Sequence, residues 1–347
     1  MNFFPYKWFE SRKIRSQLIM YGFVVMLPVW LFLYLNIQEK NDTISSDDAI
    51  QQVAQSLLDS HYFEIIQQLT VLREQSGIVE RAQAQNRAVP IPLTVSLETL
   101  NIRLTRLFFY PGLFEDQMLA RIEEDWSRII GQDLSAAKQS EAFARLIQLL
   151  GDNLTQHSDF ILSRKYGEAS LKQLDVLFFK LPRLIEDFGR IQGTVTDILA
   201  SNAKLEMDER ADLQGRLSSL SRYFSEVREH IDKHAKSSEY QTQINSSLLL
   251  MAEKIAWVTG NIRFDHSTDN NAKASRFFQN MTDLIFATND LSSAALSMVI
   301  TEIKKLKAET VAERNRIIAV ISALIMLSLL VIYFVAKLTH DKIQKMA

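Results

Sequence analysis

The sequence has no cysteine and little glycine or proline, with ten Gly and six Pro in 347 residues. Without cysteine, the chain has neither disulfides nor thiolate metal sites, which excludes a small disulfide-stapled secreted scaffold. The scarcity of helix breakers, alongside abundant Leu, Ile, Ala, Gln and Glu, predicts an all-α protein. Residues 271–338 contain neither Pro nor Gly, so we predict one uninterrupted helix there.

Sequence signals of catalysis and of metal binding are also missing. No Gly-rich phosphate loop and no nucleophile–base pair stands out, so we expect no catalytic residue and no cofactor in this chain. His230 and His234 have a spacing that can bind zinc on a helix, but no third ligand accompanies them. We interpret them as part of a solvated polar face and expect no metal.

Charge is unevenly distributed along the chain. Residues 1–36 and 316–347 hold eight basic and two acidic residues, which leaves 31 Lys/Arg and 39 Asp/Glu for the central region. An acidic central region does not favour nucleic acid as a partner. The ends, in contrast, combine basic residues with long uncharged runs.

Two uncharged runs, residues 16–38 and 317–336, predict transmembrane helices at residues 16–38 and 316–338, because a bilayer core needs about 20 apolar residues. A cleaved signal peptide explains the first run less well, since the run is too long and lacks a small-residue cleavage site. Basic residues before the first run place residues 1–15 in the cytoplasm, and two spans return residues 339–347 to the same side. We therefore predict a two-pass membrane protein with residues 39–315 outside the cytoplasm.

The central region is predicted to be elongated and helical. Residues 44–86 and 271–316 form two rods of similar length, and Pro90 and Pro92 end the first rod. Shorter helices at about 94–109, 113–130 and 136–163 add a membrane-distal module of residues about 90–165. Two stacked helical bundles between the two spans are the expected architecture.

Five residues are predicted to transmit a signal along the helices. In the helix over residues 171–200, Pro182 predicts a kink, and Gly189 and Gly193 let a neighbouring helix approach closely. In the second rod, apolar residues follow a 4-3 spacing from Phe277 to Met298. The register then shifts before Ile303 and Leu306. Such a shift locally rewinds a coiled coil, so the helix could have two alternative packing states there.

Aromatic residues concentrate at a predicted turn over residues 107–114. Phe108, Phe109, Tyr110 and Phe114 lie at this turn, and Trp126 follows on the next helix. They are either core residues or a patch that binds a partner protein. We expect no convergent buried cluster of charges suited to a small ligand. Glu186, Asp187 and Arg190 nevertheless offer a competing site at which a small ligand would bind directly.

Two short segments resemble known signalling families. Residues 181–193, LPRLIEDFGRIQG, resemble the helix motif of the bimodular helical sensor domains of bacterial chemoreceptors and sensor kinases, including the TorS-like group, but Gln192 replaces the usual Arg. The resemblance implies two stacked bundles between two spans of a bacterial inner membrane, with residues 39–315 in the periplasm. Residues 342–347, KIQKMA, are similar to the linker that precedes diguanylate cyclase domains. Together they resemble polyamine-responsive cyclic-di-GMP receptors of biofilm signalling, which read a periplasmic solute-binding protein.

Three functional interpretations remain open. The first is a homodimeric receptor whose periplasmic domain senses a signal through a solute-binding protein and controls a cyclic-di-GMP output domain beyond residue 347. The second is the sensor half of a chemoreceptor or hybrid histidine kinase that binds a small ligand directly. The third is a complete membrane-anchored structural scaffold.

Overall fold

The chain is all-helical in the computed structural model, which describes residues 4–89, 97–110, 112–131, 134–162, 176–201, 207–234, 241–261 and 270–346. The α-helices of these residues are α1 (Phe4–Asp59), α2 (Tyr62–Ala84), α3 (Leu97–Leu107), α4 (Asp116–Gly131), α5 (Ala136–Leu162), α6 (Leu181–Ser201), α7 (Met207–His234), α8 (Gln241–Asn261) and α9 (Asn270–Met346). A π-helical turn, Val176–Lys180, precedes α6. No β-strand occurs among the described residues, which confirms the predicted all-α class.

The helices belong to two compact units. The bundle unit, Ile50–Glu302, contains α2 to α8 with the end of α1 and the first part of α9. The terminal unit, Met1–Ala49 with Ile303–Ala347, contains the rest of α1 and α9. The predicted stacking of two bundles within residues 39–315 stays a prediction.

Helix α9 carries a candidate membrane span. Within the described residues, the segment Ala272–Val335 includes a stretch long and apolar enough to cross a bilayer, and none of that stretch is buried. Its exposed side chains include Val320, Met326, Leu327, Tyr333 and Phe334. A core helix would bury such side chains against other helices, whereas a helix in lipid leaves them on its outer surface.

The first predicted span, residues 16–38, lies within α1. Its side chains are described only from Leu27 onward, and Leu31, Phe32 and Leu35 are exposed there. The remaining side chains of this span lie outside the described residues. A second membrane crossing therefore stays a prediction.

The first rod is not continuous, so the prediction of one helix over residues 44–86 is wrong. Helix α1 ends at Asp59 and α2 begins at Tyr62, with His61 between them in the left-handed conformation (φ 55°, ψ 39°). The Ser60 hydroxyl donates to the Leu57 carbonyl at 3.3 Å, and such local bonds compete with the helix ladder. Histidine is among the residues that tolerate this conformation. At this break Tyr62 enters the core, where its hydroxyl donates to the Leu150 carbonyl at 2.7 Å.

Helix α2 also ends earlier than the sequence predicted. The proline pair at residues 90 and 92 was expected to stop it, but α2 ends at Ala84. Asn86 takes φ 50°, its N–H donates to the Gln83 carbonyl, and the Arg87 N–H donates to the Ala82 carbonyl at 2.8 Å. This pair of bonds is a Schellman motif, in which asparagine can replace the usual glycine.

Helix α2 is the central helix of the bundle unit. Fifteen of its 23 residues are buried, and α3, α5 and α6 pack against it. Five of the buried residues are polar: Gln67, Gln68, Thr70, Gln75 and Ser76. Because buried polar groups cost free energy unless they are hydrogen-bonded, the partners of these side chains matter for the position of α2.

Helix α9 is continuous over 77 residues, which confirms the uninterrupted helix predicted from the absence of Pro and Gly. The predicted heptad positions face the core of the bundle unit: Phe277, Met281, Leu284, Leu291 and Ala295 are buried, while Met298 is half-buried. Helices α3, α4 and α5 also agree with their predicted ranges to within a few residues.

In the terminal unit, α1 and α9 run antiparallel. Lys40 and Glu313 form an ion pair at 2.5 Å, and Arg314 donates to the Asn41 amide oxygen at 3.1 Å. Lys307 pairs with Asp48 further along both helices. Exposed ion pairs add little stability, but this series fixes which residues of the two helices face each other.

Candidate functional site

Helix α6 carries the sensor-like motif of residues 181–193. Pro182 is the second residue of α6, and the π-helical turn ends two residues before it, at Lys180. Proline fits the first turn of a helix because its missing N–H is not needed there. The helix type changes immediately before α6, and the kink predicted at Pro182 stays a prediction.

Gly189 and Gly193 lie where α6 meets α2. A Cβ atom added at Gly189 would overlap the Thr70 methyl group, and one added at Gly193 would overlap the Glu74 carboxylate. The close helix approach predicted from the glycine spacing is thus present. Gly193 in particular leaves the space that the Glu74 carboxylate occupies. The signalling role of both glycines stays a prediction.

Arg73 of α2 lies between two carboxylates. Its Nη2 is 2.6 Å from Glu74 Oε1, and its Nη1 donates to both oxygens of Glu186 at 2.8 and 3.1 Å. Arg190, one turn after Glu186 on α6, donates from Nε to Glu186 Oε1 at 2.8 Å. The Arg73 and Glu74 side chains are largely buried. Because breaking a buried ion pair costs about 3–5 kcal/mol, this network fixes α2 against α6.

The pKa values of the two glutamates shift in opposite directions. Burial alone would raise the pKa of Glu186, but Arg73 and Arg190 outweigh burial and hold that pKa below its ordinary value. Burial raises the pKa of Glu74, and Arg73 offsets only part of this effect. Burial would lower the pKa of Arg73, yet the two carboxylates raise it. Arg73 therefore stays charged.

A charged cleft of about 530 Å³ opens between α2, α6 and α7. Its basic lining residues are Arg73, Arg81, Arg190 and Arg216, and its acidic ones are Glu74, Glu186, Asp197 and Asp212. Thr194 and Ile198 complete the lining. The cleft is lined by equal numbers of basic and acidic side chains, so their formal charges cancel.

Further ion pairs hold the cleft walls. Arg81 Nε lies 3.0 Å from Asp197 Oδ2, and Arg87 reaches the other oxygen of Asp197 at 3.3 Å. On α7, Arg216 Nε donates to Asp212 Oδ2 at 2.8 Å. Volumes of this size are ordinary for small-ligand sites, although most such sites are more apolar.

The sequence predicted no convergent buried cluster of charges suited to a small ligand; charged side chains do converge at this cleft, and its suitability for a ligand stays a prediction. Glu186 and Arg190 lie at the cleft as the competing interpretation proposed, whereas Asp187 is outside its lining. Arg73 and its neighbour Glu74 were not predicted as site residues, because Arg73 lies 113 positions from Glu186 in the chain. No pattern within α2 reveals the convergence, because Arg73 and Glu74 also pair with each other.

Gln192 is fully buried and connects α6 to α9. Its Nε2 donates to the Phe278 carbonyl at 2.9 Å and to the Thr282 hydroxyl oxygen at 2.7 Å. Gln67 of α2 makes a similar bond, from Nε2 to the Thr288 hydroxyl oxygen at 2.8 Å. The Oε1 atoms of both glutamines are buried without a hydrogen-bond partner in the described structure. Both α2 and α6 are therefore hydrogen-bonded to α9.

The aromatic residues of the 107–114 turn have different environments. Trp126 is buried and donates from Nε1 to the Asn101 side-chain oxygen at 2.8 Å. Phe114 stacks on the buried Tyr62 with ring centroids 6.1 Å apart, while Phe108 and Tyr110 are half-buried. Phe109 is 77% exposed. The predicted turn is present, with Gly112 at φ 79° and the Leu113 N–H bonded to the Tyr110 carbonyl.

The predicted register shift in α9 coincides with the boundary between the two units. Ile303 is the first residue of this part of the terminal unit and is buried, and Leu306 is half-buried. The unit boundary thus falls between Met298 and Leu306, as the shift in apolar spacing does. The role of Ile303 and Leu306 in transmitting a signal stays a prediction.

Among the described residues, no group of three or more His, Asp or Glu side chains is placed to hold a metal ion. The side chains of His230 and His234 lie outside the described residues.

No protein-family model, curated protein or solved structure matches this chain. The resemblance to bimodular sensor domains therefore depends on the motif in α6 alone.

Proposed function

We propose that this chain is the sensing and transmitting part of a bacterial inner-membrane receptor. One observation carries the proposal: α9 is a single helix of 77 residues that is buried in the bundle unit near Phe277 and includes the exposed apolar stretch. An unbroken helix can pass a displacement of about 1–2 Å along its axis. A static scaffold does not need such a connection between folded core and membrane.

The proposed topology has two spans. Residues 1–15 and 339–347 lie in the cytoplasm, and the bundle unit lies in the periplasm. Basic residues before residue 16 support this orientation. The family resemblance supports a cyclic-di-GMP output domain after residue 347. A homodimer is proposed because two-span receptors generally need two subunits for one α9 helix to move against another.

The charged cleft is the proposed sensing site, where a small ligand binds directly. Its walls come from three helices, and two of them, α2 and α6, are hydrogen-bonded to α9 through Gln67 and Gln192. A ligand that changes the spacing of α2 and α6 alters both bonds. A receptor responds to a ligand only through such a difference between its states.

A second candidate is docking of a periplasmic solute-binding protein on the aromatic turn. The exposed Phe109 favours it, because large aromatic side chains often anchor interfaces. Replacing Phe109 and Tyr110 with Ala should abolish the response if this candidate holds. Phe179→Ala removes an exposed aromatic elsewhere and is the matched control. A response that survives the double substitution excludes docking at this turn.

Cysteine cross-linking tests the receptor proposal in a chain that has no native cysteine. Single cysteines at residues 299–310 of the full chain in membrane vesicles should cross-link between subunits with helical periodicity. The cross-linking pattern should change when the activating signal is present. Cysteine at Asp152, exposed on α5, reports random collisions. A flat pattern over residues 299–310 would refute transmission through a dimer of α9 helices.

A further inference from the structure

The floor of the charged cleft is closed to a ligand. Arg73 is engaged by Glu74 and Glu186, and the space over Gly193 is filled by the Glu74 carboxylate. Burial of Arg73 and Glu74 leaves them little contact with solvent. Ligand selection must therefore come from the rim of the cleft.

The rim presents unused hydrogen-bonding groups of both signs. Arg81, Arg190 and Arg216 each contact a carboxylate through Nε, and no hydrogen bond from their terminal nitrogens occurs in the described structure. Arginine has five N–H donors in a planar fork that matches a carboxylate. Asp212 uses Oδ2 for Arg216, and its side chain is 62% exposed. Guanidinium forks and a carboxylate oxygen therefore face the same opening.

The balance of charge restricts the class of ligand. Four arginines and four carboxylates give the cleft no net charge, so neither a pure anion nor a pure cation is attracted to it as a whole. A dianion would bring like charge to Asp197 and Asp212, and a diamine would bring like charge to the three rim arginines. A molecule with one group of each sign meets opposite charge at both ends.

Resting on the proposed sensing role of this cleft, we propose that it binds a small zwitterion that carries one carboxylate and one ammonium group. The carboxylate pairs with the terminal nitrogens of Arg190 and its rim neighbours, and the ammonium group pairs with Asp212. Ile198 offers an apolar contact for the part of the ligand between or beside these groups.

Calorimetry on the full chain in nanodiscs tests the ligand class. The probes are the standard amino acids, β-alanine and γ-aminobutyrate, with succinate and putrescine as single-sign comparisons. We expect saturable binding of at least one zwitterion, and loss of binding when that same molecule is N-acetylated or converted to its methyl ester. The inference is overturned if no zwitterion binds, if either capped form binds equally well, or if succinate or putrescine binds more tightly.

Substitutions locate the site. Arg190→Gln and Asp212→Asn change exposed rim residues and should each weaken zwitterion binding by about tenfold or more, since hydrogen bonds to charged groups are the strong ones. Arg145→Gln is the matched control, because Arg145 is 50% exposed on α5, close to the 53% of Arg190, and pairs with Asp125 outside the cleft. Equal affinity in all three variants would overturn the assignment to this cleft.

The two proposals, ligand binding at the cleft and signal transmission through α9, can be refuted separately. If a zwitterion binds at the cleft but leaves the cross-linking pattern of residues 299–310 unchanged, the ligand assignment stands and the receptor proposal falls. If no zwitterion binds while the pattern still changes with another signal, the receptor proposal stands and the ligand assignment falls.

Discussion

At the scale of single residues, the contact between Gly189 and Thr70 decides how closely α2 and α6 pack. A Cβ atom at position 189 would overlap the Thr70 methyl group, which the bond from the Thr70 hydroxyl to the Ile66 carbonyl holds in place. Gly189→Ala should therefore lower the free energy of unfolding by about 1–3 kcal/mol, as overpacked cores do. Urea unfolding measures the change.

A second substitution separates this clash from other effects. Thr70→Ser removes the methyl group and keeps the hydroxyl, so it should restore part of the stability lost in Gly189→Ala. Gly151→Ala in α5 is the control, since nothing lies within 4 Å of its added Cβ, and it should stabilise the protein by about 0.5–1 kcal/mol. Additive effects of the changes at positions 70 and 189 would contradict the proposed contact.

Glu186 makes part of the stability depend on pH. Because its folded pKa is lowered, its contribution is present at neutral pH and is lost as pH falls from about 4.3, the ordinary value, through the folded pKa. Glu186→Gln should therefore be less stable than the natural protein at pH 7, and the gap should shrink below about pH 4. Glu74, whose raised pKa gives the opposite dependence, is present in both proteins; because the charge of Glu186 is a minor cause of that rise, the substitution changes the contribution of Glu74 only a little.

Denaturant unfolding at several pH values measures this gap. Glu124→Gln removes a carboxylate from an exposed pair with Arg128 and provides the matched control, with a small and nearly constant difference. A gap for Glu186→Gln that stays the same between pH 7 and pH 3 would show that the network with Arg73 does not lower the pKa of Glu186.

At the scale of helices, the continuity of α9 near the unit boundary is open to direct test. Ala308→Pro removes one backbone N–H and places the proline ring against the carbonyl of residue 304, which costs about 3 kcal/mol or more in a helix interior. Hydrogen exchange should accelerate at residues 304–312 while the core amides of α2 stay protected. Ala308→Ser is the control. Unchanged protection at 304–312 would mean that α9 does not depend on its own helix ladder there.

Local patterns in the sequence predicted the helices better than their interruptions. The heptad spacing of α9 and the absence of Pro and Gly are properties of neighbouring residues, and both predictions were confirmed. The break at His61 was missed because it accompanies the docking of Tyr62 on α5, which lies 88 positions away at Leu150. No local signal identifies such a distant contact.

The candidate site was predicted only in part for the same reason. The motif of α6 drew attention to Glu186, Arg190 and the two glycines, which all lie at or beside the cleft. Their partners Arg73 and Glu74 come from α2, which the sequence predicted only as part of a long helix over residues 44–86. Charge convergence is a property of the folded bundle, so the amphipathic pattern of one helix does not reveal it.

At the scale of the whole molecule, the proposed two-span topology predicts which surfaces face the periplasm. In the cysteine-free chain, a cysteine at Gln214, exposed on α7, should react with a membrane-impermeant maleimide in intact cells. A cysteine at Lys342, in the proposed cytoplasmic segment 339–347, should react only after the cells are permeabilised. Labelling of both positions in intact cells would rule out the two-span arrangement with a periplasmic bundle unit.

The central position of α2 also has a consequence for the synthesis of the protein. Its residues leave the ribosome early, yet they bond to Leu150 of α5, Glu186 of α6 and Thr288 of α9. At about 5–20 residues per second, roughly 10 to 40 s separate the completion of α2 from the arrival of its last partner. During that interval a helix of purely apolar residues would expose a surface prone to aggregation. The glutamines of α2 that are buried in the finished protein can hydrogen-bond to water in the nascent segment until α9 completes the bundle.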